Sequence, residues 1–468
     1  MIEASFFKNK RITVFGLGLN MGGVGTVRFL SEQGAREIIV TDIKSKEELG
    51  LSVAELAKYK NVTYVLGQHR PEDFTRVDMV IKNPVIPWTN DYIKLAEKSG
   101  VPVEMDSSLF LALCKAKIIG ITGSKGKTTT AMLLAHILEQ AGKTVVRAGI
   151  SQVGVLGILS KVTSESIVVF ELSSWRLSAL KRIKKSPSVA ILTNIYPDHL
   201  NYYKTMEAYV ADKKNIFLFQ KKDGLVIANA DNALVREMAQ DAPGSIAWFS
   251  GEHSIEGDGV WKEGEVLFAR KSGKETVLLP VERIPLRGAH NIGNVLAAAG
   301  GALAVGLGMK EIGRGIESFP GIPHRLELVG EKNGVRYYND SAATIPEAAI
   351  AALQSFTEPI IHIAGGSDKR LSFGALADAI LKHSHALILF QGDATEKLIQ
   401  ALRERLPEEK KNQPFTVVES MEKALELACQ SAKPGEVVLL SPGVASFGLF
   451  KNEFDRGDQF RKGVAALP

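Results

Sequence analysis

Cysteine is almost absent from this chain: Cys114 and Cys429 are the only two among 468 residues. They lie far apart and lack metal-ligand spacing, which argues against a disulfide framework or a zinc site and for a reducing compartment. Long apolar runs are missing as well. The longest, Val295 to Met309, is too short and too rich in Ala and Gly for a membrane span, and reads as a buried helix. No leader is expected, because the N-terminus passes almost at once into the apolar run Ile12-Thr13-Val14-Phe15. A cytoplasmic protein with no membrane insertion is expected. Strong charge of one sign is absent too. The net charge of +5 hints at anionic ligands without demanding nucleic acid. The basic run Lys181-Arg182-Ile183-Lys184-Lys185 has no interleaved aromatics, so it reads as a solvated face, and no nucleic-acid partner is expected.

What is present is ample material for buried cores. Hydrophobic residues make up 45% and charged residues 23% of the chain, and its length suggests about three domains. Short apolar runs alternate with helical patterns throughout, the pattern of parallel sheets covered by helices. The first block has strands at Ile12–Phe15, Ile38–Thr41, Met79–Ile81 and Val101–Glu104. The second has them at Ile118–Thr122, Val145–Ala148, Ile167–Leu172, Val189–Thr193 and Leu225–Ala228. A small antiparallel addition is expected between Trp248 and Pro280, and a helix starting near His290 closes this block. A hinge is expected at Phe319-Pro320-Gly321-Ile322-Pro323. The last block carries strands at Leu326–Val329, Val335–Tyr338, Ile360–Ala364, Ala386–Phe390 and Val437–Leu440. The expected domains are residues 1–112, 113–318 and 319–468.

Residues 120–130 read Gly-Ile-Thr-Gly-Ser-Lys-Gly-Lys-Thr-Thr-Thr, between an apolar strand and a helical pattern. A strand turning through glycines into a helix gathers backbone N–H groups at the positive end of the helix dipole, a pocket suited to polyphosphate. Gly123, Ser124, Lys125, Gly126, Lys127, Thr128 and Thr129 are therefore the expected ATP loop. Lys127 would reach the outer phosphates, and the Thr128 hydroxyl would sit on Mg²⁺. An ordinary P-loop has its first Gly where Ile121 stands, so the loop here is a shorter one.

Other positions point to the same crevice. Glu171 ends a strongly apolar strand beside the loop, where a Mg²⁺ ligand belongs. His199 follows the next apolar strand, next to Asp198. Lys213, on the following helix, looks on its own like a solvated charge. In the first block, Gly16-Leu17-Gly18-Leu19-Asn20-Met21-Gly22-Gly23 resembles a dinucleotide-binding turn, with Met21 at the third-glycine position and Asp42 ending the second strand. A nicotinamide, another diphosphate-bearing nucleotide, or a ligand-free turn all remain open on that signal alone.

Taken together these motifs resemble the Mur ligase family, the ATP-dependent amide-forming enzymes of peptidoglycan synthesis. The resemblance runs through Gly123-x-x-Gly126-Lys127-Thr128, Glu171-Leu172-Ser173-Ser174, Asn194-x-x-x-Asp198-His199, Tyr209…Lys213, His290-Asn291-x-x-Asn294, Pro323-His324-Arg325, Asn339-Asp340-Ser341 and Gly365-Gly366. It implies an α/β protein of three domains: a Rossmann-like first domain, a central P-loop ATPase domain and a Rossmann-like C-terminal domain. The implied activity is ligation of D-glutamate to UDP-N-acetylmuramoyl-L-alanine through an acyl phosphate, in a monomer.

By the same resemblance Gly18, Leu19, Asn20, Asp42, Ile43, Lys44 and Asn83 hold the UDP substrate. Asn291, Asn294, Arg325 and Asp340 join the ATP site. Thr128 and Glu171 serve one Mg²⁺; His199 and a carbamylated Lys213 serve a second. Carbamylation makes a lysine anionic and oxygen-bearing, which suits a hard cation. Thr344, Lys369, Ser446 and Phe447 fall where glutamate is recognised. The sequence departs from the family pattern at Ala342, Ile345 and Glu453-Phe454, and at Asn83-Pro84-Val85-Ile86, which leaves L-glutamate as an alternative acceptor. Rival readings are a nicotinamide-dependent oxidoreductase and a non-catalytic nucleotide-binding subunit. Met21 and the P-loop count against the first, and the set Lys127, Glu171, His199 and Lys213 against the second.

Overall fold

The structure is a computed structural model. It describes residues 3–18, 22–150, 154–368, 371–412 and 414–467. Backbone packing groups Met1–Arg283 with Gly293–Phe319 into one compact unit, and Ile284–Ile292 with Pro320–Pro468 into another. The chain thus passes between units within the Gly/Pro cluster at 319–323. The helix Ala289–Ala304, expected to close the second block, belongs by its first turn to the C-terminal unit.

The N-terminal unit holds two sheets. The first comprises β1 (Arg11–Phe15), β2 (Glu37–Asp42), β3 (Val62–Leu66), β4 (Met79–Lys82) and β5 (Val103–Met105), in the order β3-β2-β1-β4-β5. All its neighbours are parallel. The second comprises β6 (Lys117–Thr122), β7 (Val145–Ala148), β8 (Ile167–Glu171), β9 (Val189–Leu192), β10 (Leu225–Asn229), β11 (Ser245–Ser250), β12 (Gly259–Glu263), β13 (Val266–Lys271) and β14 (Lys274–Pro280). Its order is β14-β13-β12-β11-β10-β9-β6-β8-β7. The stretch from Trp248 to Pro280 is therefore no separate antiparallel piece. β11 and β12 continue the parallel sheet, and only β13 and β14 run antiparallel at its edge. β6 lies between β9 and β8 at the point where strand order reverses, which is where open α/β sheets bind ligands.

The C-terminal unit has β15 (Glu327–Lys332), β16 (Val335–Asn339), β17 (Ile360–Gly365), β18 (Ser384–Phe390), β19 (Thr416–Val418) and β20 (Val437–Leu440). They are ordered β15-β16-β20-β17-β18-β19, parallel except for the β15–β16 hairpin. Helices cover both faces, so the central strands β20 and β17 are buried along their whole length instead of alternating. Val437 and Leu439 pack with Ile360 and Leu389 on one face; Val438 and Leu440 pack with Ile361, Ile363 and Phe390 on the other.

His362 interrupts that apolar run in β17. Its ring is fully buried, and Nε2–H donates to the Ser441 carbonyl at 2.7 Å. Burial pulls its pKa from 6.5 down to about 4. Between these values the unfolded chain takes up a proton that the folded one refuses. Stability present above pH 6.5 is therefore lost as pH falls towards 4, by about 3 kcal/mol in total. Denaturant titrations at several pH values should show this slope in the wild type and a flatter one in His362→Gln. An identical slope in the variant would assign the effect to other groups.

Candidate active site

The glycine loop between β6 and the helix Lys127–Gln140 is fixed from β9's end. Ser124 N–H donates to Asn194 O at 2.8 Å, Lys125 N–H to Asn194 Oδ1 at 2.8 Å, and Thr193 Oγ1 to Lys125 O at 2.7 Å. Gly126 has φ +82, a left-handed conformation, and a Cβ there would collide with Asn294 Oδ1. Asn294 is itself buried and accepts from Thr130 Oγ1 at 3.4 Å. Asn294 thus packs on the loop, whereas Asn291 groups with the C-terminal unit and donates to Arg287 O at 2.7 Å. Thr129 lies half-buried in the first helical turn.

Thr128 Oγ1 donates to Glu171 Oε2 at 2.9 Å, so two oxygen donors suited to a hard cation stand together. Lys127 Nζ folds onto the loop's own carbonyls, Gly123 O at 2.9 Å and Ser124 O at 3.0 Å. Lys213, from the helix Met206–Lys214, is buried beneath the same loop; its Nζ donates to Gly123 O at 2.9 Å and Thr122 Oγ1 at 3.4 Å. Burial pulls its pKa well below the lysine range, and the charge of Lys127 pushes the same way. No carboxylate lies within ion-pair distance of this amine among the described residues.

His199 stands at the rim with φ +53, its ring 4.8 Å from that of Trp175. Burial lowers its pKa; Asp198 opposes this, while Lys127, Lys213 and Lys125 reinforce it. The neutral imidazole that results can act as a ligand. Two supporting residues carry no obvious signal in the sequence. Tyr209 OH lies 3.1 Å from Ser124 Oγ, and its ring lies 4.7 Å from Lys213 Nζ. Trp175 follows Glu171-Leu172-Ser173-Ser174 and meets His199 in a tilted ring pair, with 42° between the ring planes. The spacing Tyr209…Lys213, one helical turn, is the local hint that both face the loop.

In the first sheet, Asp42 braces the turn. Its carboxylate accepts from Gly18 N–H at 3.1 Å and Lys44 N–H at 3.0 Å. Asn83 Nδ2 donates to Gly16 O at 3.4 Å, and Ile43 is exposed. Leu19 and Asn20 lie outside the described residues. Gly18, Asp42, Ile43, Lys44 and Asn83 end or follow β1, β2 and β4 at the carboxyl edge of this sheet.

In the C-terminal unit, Asp340 is buried with its carboxyl held by Leu326 N–H at 3.1 Å and Ser441 Oγ at 2.7 Å. Burial pushes its pKa up to about 7 against those bonds and the charges of Arg325 and Arg456. Arg325 is exposed beside it in sequence order, one residue before Leu326. Thr344 follows β16, and Ser446 and Phe447 follow β20; the segments after β16, β17 and β20 are joined where Gly443 N–H donates to Ala343 O at 2.9 Å and Ser367 Oγ donates to Phe447 O. Phe447 is exposed and Ser446 buried. Lys369 lies outside the described residues. At the positions that depart from the family pattern, Ala342 N–H donates to His324 O, and Phe454 lies edge-on to the His324 ring at 5.7 Å.

The basic run at 181–185 is spent on local partners. Arg182 pairs with Glu97 at 2.6 Å, Lys181 with Asp212 at 3.7 Å, and Lys185 donates to Leu111 O. One exposed trio, Asp231, Glu252 and His253, brings possible ligand atoms within 4.8 Å of one another. The turn accounts for it: Asp231 accepts from Ser250 Oγ at 2.5 Å and Gly251 N–H at 2.7 Å. No helix among the described residues is long and apolar enough to cross a membrane.

Comparison with known proteins matches this architecture sheet by sheet. The Mur ligase MurD-like N-terminal domain matches residues 10–104, the Mur ligase middle domain residues 121–302, and the Mur ligase glutamate ligase domain residues 324–444. The chain belongs to the Mur ligase family. A UDP-N-acetylmuramoylalanine–D-glutamate ligase from Roseiflexus sp. (strain RS-1) is 42% identical over 465 residues, covering 98% of this chain and 99% of that protein. One of the same name from Clostridium tetani is 34% identical over 462 residues, covering 99% and 98%. The crystal structure of a UDP-N-acetylmuramate-alanine ligase from Thermotoga maritima shares the fold, with TM-score 0.60 at 20% identity, covering 98% of this chain and 99% of that one.

Proposed function

We propose that the chain ligates D-glutamate to UDP-N-acetylmuramoyl-L-alanine at the expense of ATP, in the cytoplasm and as a monomer. The observation that carries this reading is the convergence of Lys127, the Thr128–Glu171 pair and buried Lys213 on one glycine-turned loop. That loop lies in a chain 42% identical over its length to a D-glutamate ligase. Residues 1–112 bind the UDP substrate, 113–318 bind ATP, and 319–468 bind the amino acid.

The substrate's alanyl carboxylate oxygen attacks the γ-phosphorus of ATP, and the bond to the ADP oxygen breaks. Glutamate's amine then attacks the acyl carbon of the acyl phosphate; the carbon–oxygen bond breaks, phosphate leaves and the nitrogen loses its proton. A carboxylate is a poor acyl donor, so the first step supplies the leaving group. Magnesium, held by Thr128 and Glu171 and at a second place by His199 and carbamylated Lys213, neutralises phosphate charge when bound. The loop N–H groups and Lys127 orient the phosphates, with Asn291, Asn294, Arg325 and Asp340 completing the ATP site. Gly18, Asp42, Lys44 and Asn83 hold the UDP end. Thr344, Ser446, Phe447 and Lys369 receive glutamate's two carboxylates.

Phosphate release with UDP-N-acetylmuramoyl-L-alanine and separate D- and L-amino acids tests the reading. D-glutamate is expected to support turnover and L-glutamate to support far less. Equal use of both, or preference for a neutral or basic amino acid, would overturn the acceptor assignment.

A further inference from the structure

β4 is buried along its whole length, yet it ends in a lysine. The Lys82 side chain is 1% exposed, and a cation taken out of water costs several kcal/mol unless it is well compensated. Among the described residues no carboxylate lies within ion-pair distance of it. Its donors go instead to two carbonyls of the turn that follows, Ile86 O at 2.8 Å and Asn83 O at 3.2 Å, and its Nζ lies 4.5 Å from the centre of the Trp88 ring. Burial lowers its pKa to about 7, opposed by the more distant charges of Asp106 and Asp212.

The turn so held is the one that meets the glycine-rich turn of β1. Ile86 N–H donates to Asn83 O at 3.1 Å, Val85 N–H to Asn83 Oδ1 at 3.2 Å, and Pro84 occupies its second position. Asn83 in turn interlocks with Gly16: its Nδ2 donates to Gly16 O, and a Cβ on Gly16 would stand 2.9 Å from Asn83 Cβ. Moving residues 83–86 therefore moves the Gly16–Gly18 backbone. Trp88 carries the connection onward. Arg182, paired with Glu97, lies 4.5 Å from its ring, and its Nε1–H donates to Ser178 Oγ at 2.7 Å. Ser178 Oγ donates to Trp175 O at 2.6 Å, and the Trp175 ring meets His199.

We propose that Lys82 is a positioning residue for the diphosphate end of the nucleotide substrate, closing the Asn83–Ile86 turn from beneath and bracing it through Trp88 against the segment that supports His199. This rests on the reading that Gly18 and Asn83 hold a UDP-linked substrate. Lys82 touches no reacting atom; it acts through the backbone it fixes.

Calorimetric titration with UDP alone tests the inference without relying on turnover. Lys82→Met keeps the stem and removes the ammonium; it should weaken UDP binding by about tenfold. In steady-state assays it should raise KM for the UDP substrate by about the same factor while leaving kcat and the KM values for ATP and D-glutamate near wild type. Trp88→Phe, which keeps a ring and loses the bond to Ser178, should show a smaller change in the same direction. Unchanged UDP binding in Lys82→Met overturns the inference. So does a parallel loss of kcat and every KM with a lowered melting temperature, which marks a merely structural lysine. A wild type that binds UDP but fails to ligate would overturn the proposed function while leaving the Lys82 comparison decisive.

Discussion

Replacing Lys127 by alanine should lower turnover by about a hundred- to a thousandfold, the loss seen when a preorganised charge facing a transition state is removed. Binding of the UDP substrate should change little. Lys127 springs from the first turn of the helix after the glycine loop, and its Nζ is held over that loop by the carbonyls of Gly123 and Ser124. The residues proposed for the UDP end hang on other strands: Gly18 and Asp42 bond to each other across β1 and β2, and Asn83 follows β4. Calorimetric titration of Lys127→Ala with UDP-N-acetylmuramoyl-L-alanine separates the two sites. A large loss of that binding would mean that the phosphate loop and the UDP site are not independent.

The glycine loop was legible in the sequence because everything that makes it work is local: strand, turn and helix follow one another within eleven residues. Glu171 was legible for a related reason, since the carboxyl end of a buried strand has few other uses for an acid. Strands whose surroundings are half-solvated were not. β3, Val62-Thr63-Tyr64-Val65-Leu66, lies at a sheet edge with only Val65 fully buried, and β19 is a three-residue edge strand. Neither has the continuous apolar run that betrays a central parallel strand. The residues that hold the loop were legible only as members of family motifs. Asn194 and Tyr209 reach Lys125 and Ser124 across 69 and 85 residues of chain, so local patterning alone does not assign them this role. Asp42 has a role that the sequence did not reveal: each of its oxygens accepts one N–H of the neighbouring turns, Gly18 and Lys44, and each keeps a lone pair for a ligand.

Lys213→Met is expected to lose at least about a hundredfold in turnover while keeping its melting temperature close to that of the wild type. On the helix Met206–Lys214 this residue sits beside Lys214, which reaches solvent and pairs with Asp241 at 2.5 Å. Lys213 turns inward and is 1% exposed, with Gly123 O and Thr122 Oγ1 as its acceptors. A permanent ammonium in that place would face Lys127 across the loop and repel the cation that Thr128 and Glu171 are shaped to hold. Burial and Lys127 both lower the Lys213 pKa, which favours the amine over the ammonium. On the proposed reading that amine would attack carbon dioxide: the nitrogen–carbon bond would form as one carbon–oxygen π bond breaks, the nitrogen would lose a proton to solvent, and the carbamate would carry anionic oxygens suited to a hard cation. Stripping carbon dioxide from the buffer should therefore lower wild-type activity, and bicarbonate should restore it, whereas Lys213→Met should respond to neither. Full activity in Lys213→Met, or a wild type indifferent to carbon dioxide, would leave Lys213 as a plain buried prop beneath Gly123.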